Sequence, residues 1–286
     1  MSIADQTPPG MANEDADEAR RARANRIQNV AKWVLPIFVM TASILAWHLY
    51  VTINEIPHYI LPSPFVVLKT MVTDWGLLVD AATVTTQLTL WALLFAVIGG
   101  VFLAVLFTQS KWAEMSFFPY AVILQVTPVI AVAPLIQIYV DSAFAAALIC
   151  AWIVAFFPIL SNTTIGLKSA DHNLRDLLEI YGATKWQKLV YLEAPSALPF
   201  FLGGLKIAGG LALIGAVVAE FVIGRSGTGL GLASTLLEAS YRYNFARLYA
   251  SLFMISGLGI MVFAATSLIS HLCLRSWHES ALKREN

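Results

Sequence analysis

Charge is what this sequence has least of. Only 13% of its 286 residues are Asp, Glu, Lys or Arg, and 58% are hydrophobic, whereas soluble domains carry about 25% charged residues. That deficit excludes an ordinary water-soluble domain. The formal net charge is zero, so there is no basic field to hold nucleic acid, and no nucleic-acid partner is predicted. The two cysteines, Cys150 and Cys273, lie far apart in apolar stretches, which excludes a disulfide framework and a zinc site. The five histidines form no pair at ligand spacing, and no metal site is expected. Also missing is any G-x-x-x-x-G-K-[ST] or even a Gly-Lys pair, so the chain has no phosphate cradle. Gly227-Thr228-Gly229-Leu230-Gly231 does not fit G-x-G-x-x-G and reads as a turn. With no nucleophile–base arrangement either, neither an enzyme nor a cofactor is predicted.

What is present is long apolar runs. A bilayer core needs about 20 apolar residues in a helix. Six stretches qualify, near Trp33–Val51, Gln87–Phe107, Phe117–Val140, Ala143–Ser161, Phe200–Ile223 and Leu248–Leu272. Open sheet cannot cross lipid, because its edge amides would go unpaired. The prediction is an all-α polytopic membrane protein with six spans. Pro128, Pro134 and Pro158 fall in the third and fourth and predict kinks there. Residues 1–32 read as a polar tail, disordered or loosely helical, with no cleavable signal. Residues 33–79 read as the first span with an outer loop, 80–275 as the main membrane domain, and 276–286 as a second polar tail.

Orientation follows from lysine and arginine. With the N-terminus inside, thirteen of the eighteen fall on inside segments. Only Lys69, Arg225, Arg242 and Arg247 fall outside, and Lys206 sits in the fifth span. The positive-inside rule therefore places both termini in the cytoplasm.

The longest inside loop, 162–199, should carry structure of its own. Asp171 suits an N-cap, and Leu174, Leu177, Leu178 and Tyr181 form a stripe at i, i+3, i+4, i+7. Gly182 stands where a C-terminal glycine cap belongs. Thr184-Lys185-Trp186-Gln187 fits a capping box that starts a second helix. Pro195 and Pro199 are expected to end that helix before the fifth span. The stripe packs either on the chain's own helices or on a partner.

This loop resembles the cytoplasmic signature of ABC-importer permeases, E-A-A, three residues, G, nine residues, I-x-L-P. Here Asp176-Leu177-Leu178, Gly182 and Leu192-Glu193-Ala194-Pro195 keep that spacing. Gly182-Ala183-Thr184-Lys185-Trp186-Gln187 is similar to the G-A-S-x-W-Q of the nitrate/sulfonate/taurine branch. So are Ala197-Leu198-Pro199 with Gly204-Leu205-Lys206-Ile207-Ala208, Leu61-Pro62-Ser63-Pro64, and Glu220 followed by Gly229-Leu230-Gly231. Tyr139-Val140-Asp141 departs from that branch's aromatic-glycine pair. The resemblance implies a MetI-like permease of the bacterial inner membrane. It implies pairing with a second permease copy, two cytoplasmic ATP-binding subunits, and a periplasmic or surface substrate-binding protein. It also implies that the Leu174–Tyr181 helix, Gly182, Ala183 and Thr184 dock on the ATPase. Cargo would be a small anion such as nitrate, a sulfonate or taurine, or else a pyrimidine-type vitamin precursor.

Polar groups inside the spans are few. Gly204, Ala208, Ala212 and Ala216 form a small-residue stripe that would pack closely, between copies or within one chain. Glu220 follows on the same face. It is either a gate or pathway group, or a helix-end carboxylate held by Arg225. Gln125, Thr127, Gln137 and Asn162 could line a pathway or bond between helices, and Lys206 could snorkel to the inner headgroups. An ion-coupled secondary transporter, the competing class, would need mid-membrane ionisable groups, and this chain has almost none.

Overall fold

The computed structural model describes residues 11–224 and 231–275, with side chains from residue 31 onward apart from residue 33. Every regular element among them is helical. The chain divides into two units at Val66/Val67.

The first unit is built on α1, Met11–Ile53. Its apolar part, Val34–Ile53, is long enough to cross a membrane. The segment expected as a polar tail is helical from Met11 and continuous with this span. Its Ala, Glu and Arg content explains why, since these are strong helix formers. The hydroxyls of Thr41, Ser43 and Thr52 each donate to the carbonyl four residues back, at 2.8 Å. That satisfies them without water, as lipid requires.

The second unit begins within α2 (Pro64–Thr73) and continues through α3 (Trp75–Gln109), α4 (Lys111–Val126), α5 (Val129–Tyr139), α6 (Ala143–Lys168), α7 (His172–Ile180), α8 (Lys185–Lys188), α9 (Ala194–Ile223), α10 (Leu232–Tyr241) and α11 (Phe245–Leu274). At 1.5 Å per residue α3 is about 52 Å long, well beyond a hydrocarbon core of about 30 Å. It takes in residues expected as outer loop.

The core is α3, α6 and α9, and alanine makes it possible. Ala92, Ala96 and Ala104 of α3, Ala147, Ala151 and Ala155 of α6, and Ala208, Ala212 and Ala216 of α9 are all fully buried. Without a hydrophobic drive between helices in lipid, close backbone approach supplies the attraction. A Cβ at Gly215 would lie 2.9 Å from Ala151 Cα, and one at Gly204 2.9 Å from the Pro158 carbonyl. The small-residue stripe of the fifth span therefore packs on α6 of the same chain, which settles the choice left open by the sequence.

Two expectations need correction. The third apolar stretch is not one kinked helix. It is α4 and α5, bent by 104° at Thr127-Pro128. Thr127 is extended, as a residue before proline prefers, and Pro128 has no amide to continue the ladder. Five long helices and one broken pair thus stand where six spans were expected. Second, Pro195 and Pro199 do not end the helix that Thr184 starts. A π turn over Leu189–Glu193 joins α8 to α9, with the Ala194 amide bonding to Leu189 O. The wider turn shifts the register so that Pro195 falls in the first turn of α9, where an amide is dispensable.

Candidate coupling hairpin and membrane groove

Local chemistry builds the loop between α6 and α9. Asp171 caps α7, accepting from the Asn173 amide at 2.7 Å. At the other end the Gly182 amide bonds to Glu179 O and the Ala183 amide to Leu178 O, each at 2.9 Å. These two bonds define a Schellman cap. Gly182 has φ +72°, with open space where a Cβ would be, so glycine is needed here for the backbone alone. Thr184 and Gln187 form the complete capping box. Lys188 ties the hairpin across its turn with a 2.8 Å bond to Glu179, and this bond holds the Glu179 carboxyl below its ordinary pKa.

The apolar stripe of α7 is not covered by the chain. Leu174 and Leu177 are 49% and 47% exposed, Ile180 and Tyr181 83% and 80%, and only Leu178 is half-buried. Trp186 and Tyr191, beyond the turn, are also exposed. Asp176 is exposed, Ala183 and Pro195 are half-buried, and Thr184 is committed to its cap. Sequence reasoning missed Ile180, Trp186 and Tyr191, because they lie outside the i, i+3, i+4 stripe.

A charged contact fixes α7 to the membrane helices. Arg175 Nη2 lies 3.0 Å from Glu193 Oε1, in the π turn, and reaches Leu167 O in the last turn of α6 at 3.5 Å. Both residues went unremarked as functional in the sequence. Eighteen positions and a change of helix register separate them, and no periodicity connects such a pair.

Within the membrane part, two adjoining cavities of about 510 and 440 Å³ form a groove along α4, α5, α6 and α9. They share Ile130 and Val218. Gln125 and Thr127 line the first, beside Leu124, Val154, Pro158 and Leu211. Gln125 is exposed, while Thr127 donates to Ile123 O at 2.6 Å. Gln137 is half-buried, lies outside this lining and is engaged within the protein. Asn162 donates to Pro158 O at 2.9 Å, and Lys206 is half-buried and also outside the lining. Three lining residues, Leu124, Ile130 and Val154, have a proline four positions on, at Pro128, Pro134 and Pro158. Each loses the amide its carbonyl would bond in a continuous helix. The groove lining is thus uncharged and mostly apolar, with Gln125 and Thr127 as its polar side chains.

Glu220 lies away from this lining. It is fully buried, and its Oε1 accepts from Thr85 Oγ1 at 2.8 Å and its Oε2 from the Ala233 amide at 2.9 Å. Thr85 Oγ1 in turn accepts the Leu232 amide at 2.9 Å, and Ser234 Oγ donates to Glu220 O at 3.2 Å. A Cβ at Gly231 would collide with both Glu220 and Thr85. The carboxyl group thus pins the start of α10 to α3 and α9. Arg225, the partner considered from the sequence, lies outside the described residues, as does most of the glycine-rich run 227–231.

Comparison with known proteins agrees with this architecture. Residues 96–275 match the family described as binding-protein-dependent transport system inner membrane component. The riboflavin transport system permease protein of Chloroflexus aurantiacus is 32% identical, over 78% of this chain and 86% of its own length. The formylaminopyrimidine transport permease protein of Halalkalibacterium halodurans is 33% identical, over 76% and 85%. A nitrate import permease protein of Synechocystis is 29% identical over 56% of this chain and 57% of its own. Among solved structures, an inward-facing MetNI methionine ABC transporter superposes with TM-score 0.59 at 19% identity, covering 69% of this chain and 96% of that one. The fold is MetI-like, and the matched helices are those that carry the hairpin and the groove. The chain belongs to the binding-protein-dependent transport system inner membrane component family, the permease subunits of ABC importers.

Proposed function

We propose that this permease docks its ATPase through the hairpin of α7 and α8 and passes an uncharged, hydrogen-bond-donating heterocycle along the groove. The observation that carries the docking half is the bare apolar face of Leu174, Leu177, Ile180 and Tyr181. A surface of this kind in water marks an interaction site. Its rigid caps suit it to transmit motion, and the charge bias supports a cytoplasmic position for it and for both termini. A groove open along one side of a single chain is completed by a second copy in a two-fold pair.

The cargo follows from the lining. An anion needs a cation or aligned amides where it is desolvated. Among the described residues the lining carries no charged side chain, and its polar side chains, the Gln125 amide and the Thr127 hydroxyl, are neutral. Flat, N–H-bearing ring systems fit this chemistry. The permeases of Chloroflexus and Halalkalibacterium, named for riboflavin and formylaminopyrimidine, support the same reading. The test is uptake into proteoliposomes holding the full complex with its binding protein. Riboflavin and a formylaminopyrimidine are expected to enter in an ATP-dependent manner, and nitrate and an alkanesulfonate are not. Uptake of the two anions alone would overturn the cargo assignment.

A further inference from the structure

The exposed hairpin explains docking but not how its movement enters the membrane. Among the described residues, Arg175–Glu193 is the one salt bridge between α7 and the helices of the core. Its position is unusual in three respects. Glu193 is 6% exposed and sits inside the π turn, where the chain changes helical register before α9. The same Arg175 Nη2 reaches the last turn of α6, so one guanidinium spans α6, α7 and the root of α9. Finally, Arg175 Nε and Glu193 Oε2 are buried with no hydrogen-bond partner. The pair makes one contact where an arginine and a carboxylate can make two side by side. Both helices it joins to α7 line the groove, α6 through Val154 and Pro158 and α9 through Leu211 and Val218.

We infer that Arg175 and Glu193 are positioning residues that carry hairpin movement into α6 and α9, and so couple ATP hydrolysis to opening of the groove. The inference rests on the reading of the hairpin as the ATPase dock. A coupling element needs two arrangements that both ends can bias. The unused Nε and Oε2 supply the second arrangement, a two-bond contact, and the π turn supplies the backbone slack to reach it. A buried pair of this kind is weak as a source of stability, since desolvation offsets most of its attraction. Its geometric role is therefore separable from a structural one.

The experiment uses the complete complex with its ATPase and binding protein in proteoliposomes. Arg175→Met alone strands a buried carboxylate and can reduce folding, so the informative variant is Arg175→Met with Glu193→Leu, which removes both charges. Normal permease levels, normal ATPase capture and near-normal basal ATP hydrolysis are expected, with uptake per ATP hydrolysed reduced by about tenfold. Arg175→Lys, which keeps one contact, should recover part of that loss. If the double variant retains wild-type uptake per ATP, the pair is structural only and the inference fails. Ile180→Asp, on the bare face, separates this result from the reading beneath it. ATPase capture unaffected by Ile180→Asp would overturn the hairpin as dock, whatever the charge pair does. Capture lost in Ile180→Asp, with coupling intact in the double variant, would leave the dock standing and remove the strut.

Discussion

Thr85 and Glu220 meet 135 positions apart in sequence, hydroxyl to carboxyl at 2.8 Å, at a point that no solvent reaches. The contact closes α3 on α9, and the amides of Leu232 and Ala233 bond to the same two side chains. Thr85→Val removes the donor to Glu220 and the acceptor for Leu232 while keeping the shape. Leaving such groups unpaired costs about 1–3 kcal/mol. A lowered unfolding temperature in detergent is expected, and Gly231→Ala should lower it as well, through collision rather than lost bonds. An unchanged melting temperature in both variants would mean that α10 is not held by this cluster.

Gly182 separates backbone strain from contact. Its φ of +72° penalises a side chain by about 1 kcal/mol or more, most for a β-branched residue. No neighbour lies near the would-be Cβ, so steric exclusion plays no part. Gly182→Val should weaken ATPase capture, whereas Gly182→Asn, which tolerates the left-handed region, should keep most of it. Capture assays at matched permease levels distinguish the two, and equal losses would mean that the conformation at 182 is not what matters.

The hairpin was the most legible part of this chain. Caps are local, and Asp171, Gly182, Thr184 and Gln187 announce themselves at fixed offsets. The apolar stretches were legible too, because lipid demands length and composition. What stayed hidden depended on contacts across the bundle. A proline reads the same whether a helix kinks or turns through 104°, and Thr127-Pro128 gave no sign of which. Glu220 suggested a partner five residues away, while its observed partners come from α3 and the start of α10. The Gly204–Ala216 stripe called for a close neighbour without naming α6. The pairing of Arg175 with Glu193 is not legible either, since neither burial nor a π turn is written in periodicity.

Sidedness can be read directly at Ile180. The side chain is 83% exposed at the end of α7, so a cysteine there is accessible from whichever side the hairpin faces. The thirteen-to-four charge bias predicts the cytoplasm. In a variant lacking Cys150 and Cys273, Ile180→Cys should react with an impermeant thiol reagent in inside-out vesicles and remain unlabelled in intact cells. Labelling in intact cells would invert the topology and remove the hairpin from reach of an ATPase.

The groove gives the sharpest trade-off between stability and transport. Pro158 lies within the continuous helix α6 and has no amide to offer the Val154 carbonyl, in a wall that also holds Gln125 and Thr127. Proline within a helix costs about 3 kcal/mol where nothing compensates. Pro158→Ala restores an amide at 158 that can bond the Val154 carbonyl four residues back. The Asn162 bond to the carbonyl of residue 158 is preserved, because it does not involve the proline ring. The variant should therefore unfold at a higher temperature than the parent, as expected for a site where function holds back stability. Transport should move the other way, because the proline ring is lost from the groove wall and the ladder takes up the Val154 carbonyl. Gln125→Leu removes the side-chain amide without touching the backbone, and should slow uptake with little change in melting temperature. Melting and uptake of the same preparations, with ATPase capture as the control for docking, decide the matter. Faster or unchanged uptake in both variants would mean that cargo does not pass these groups.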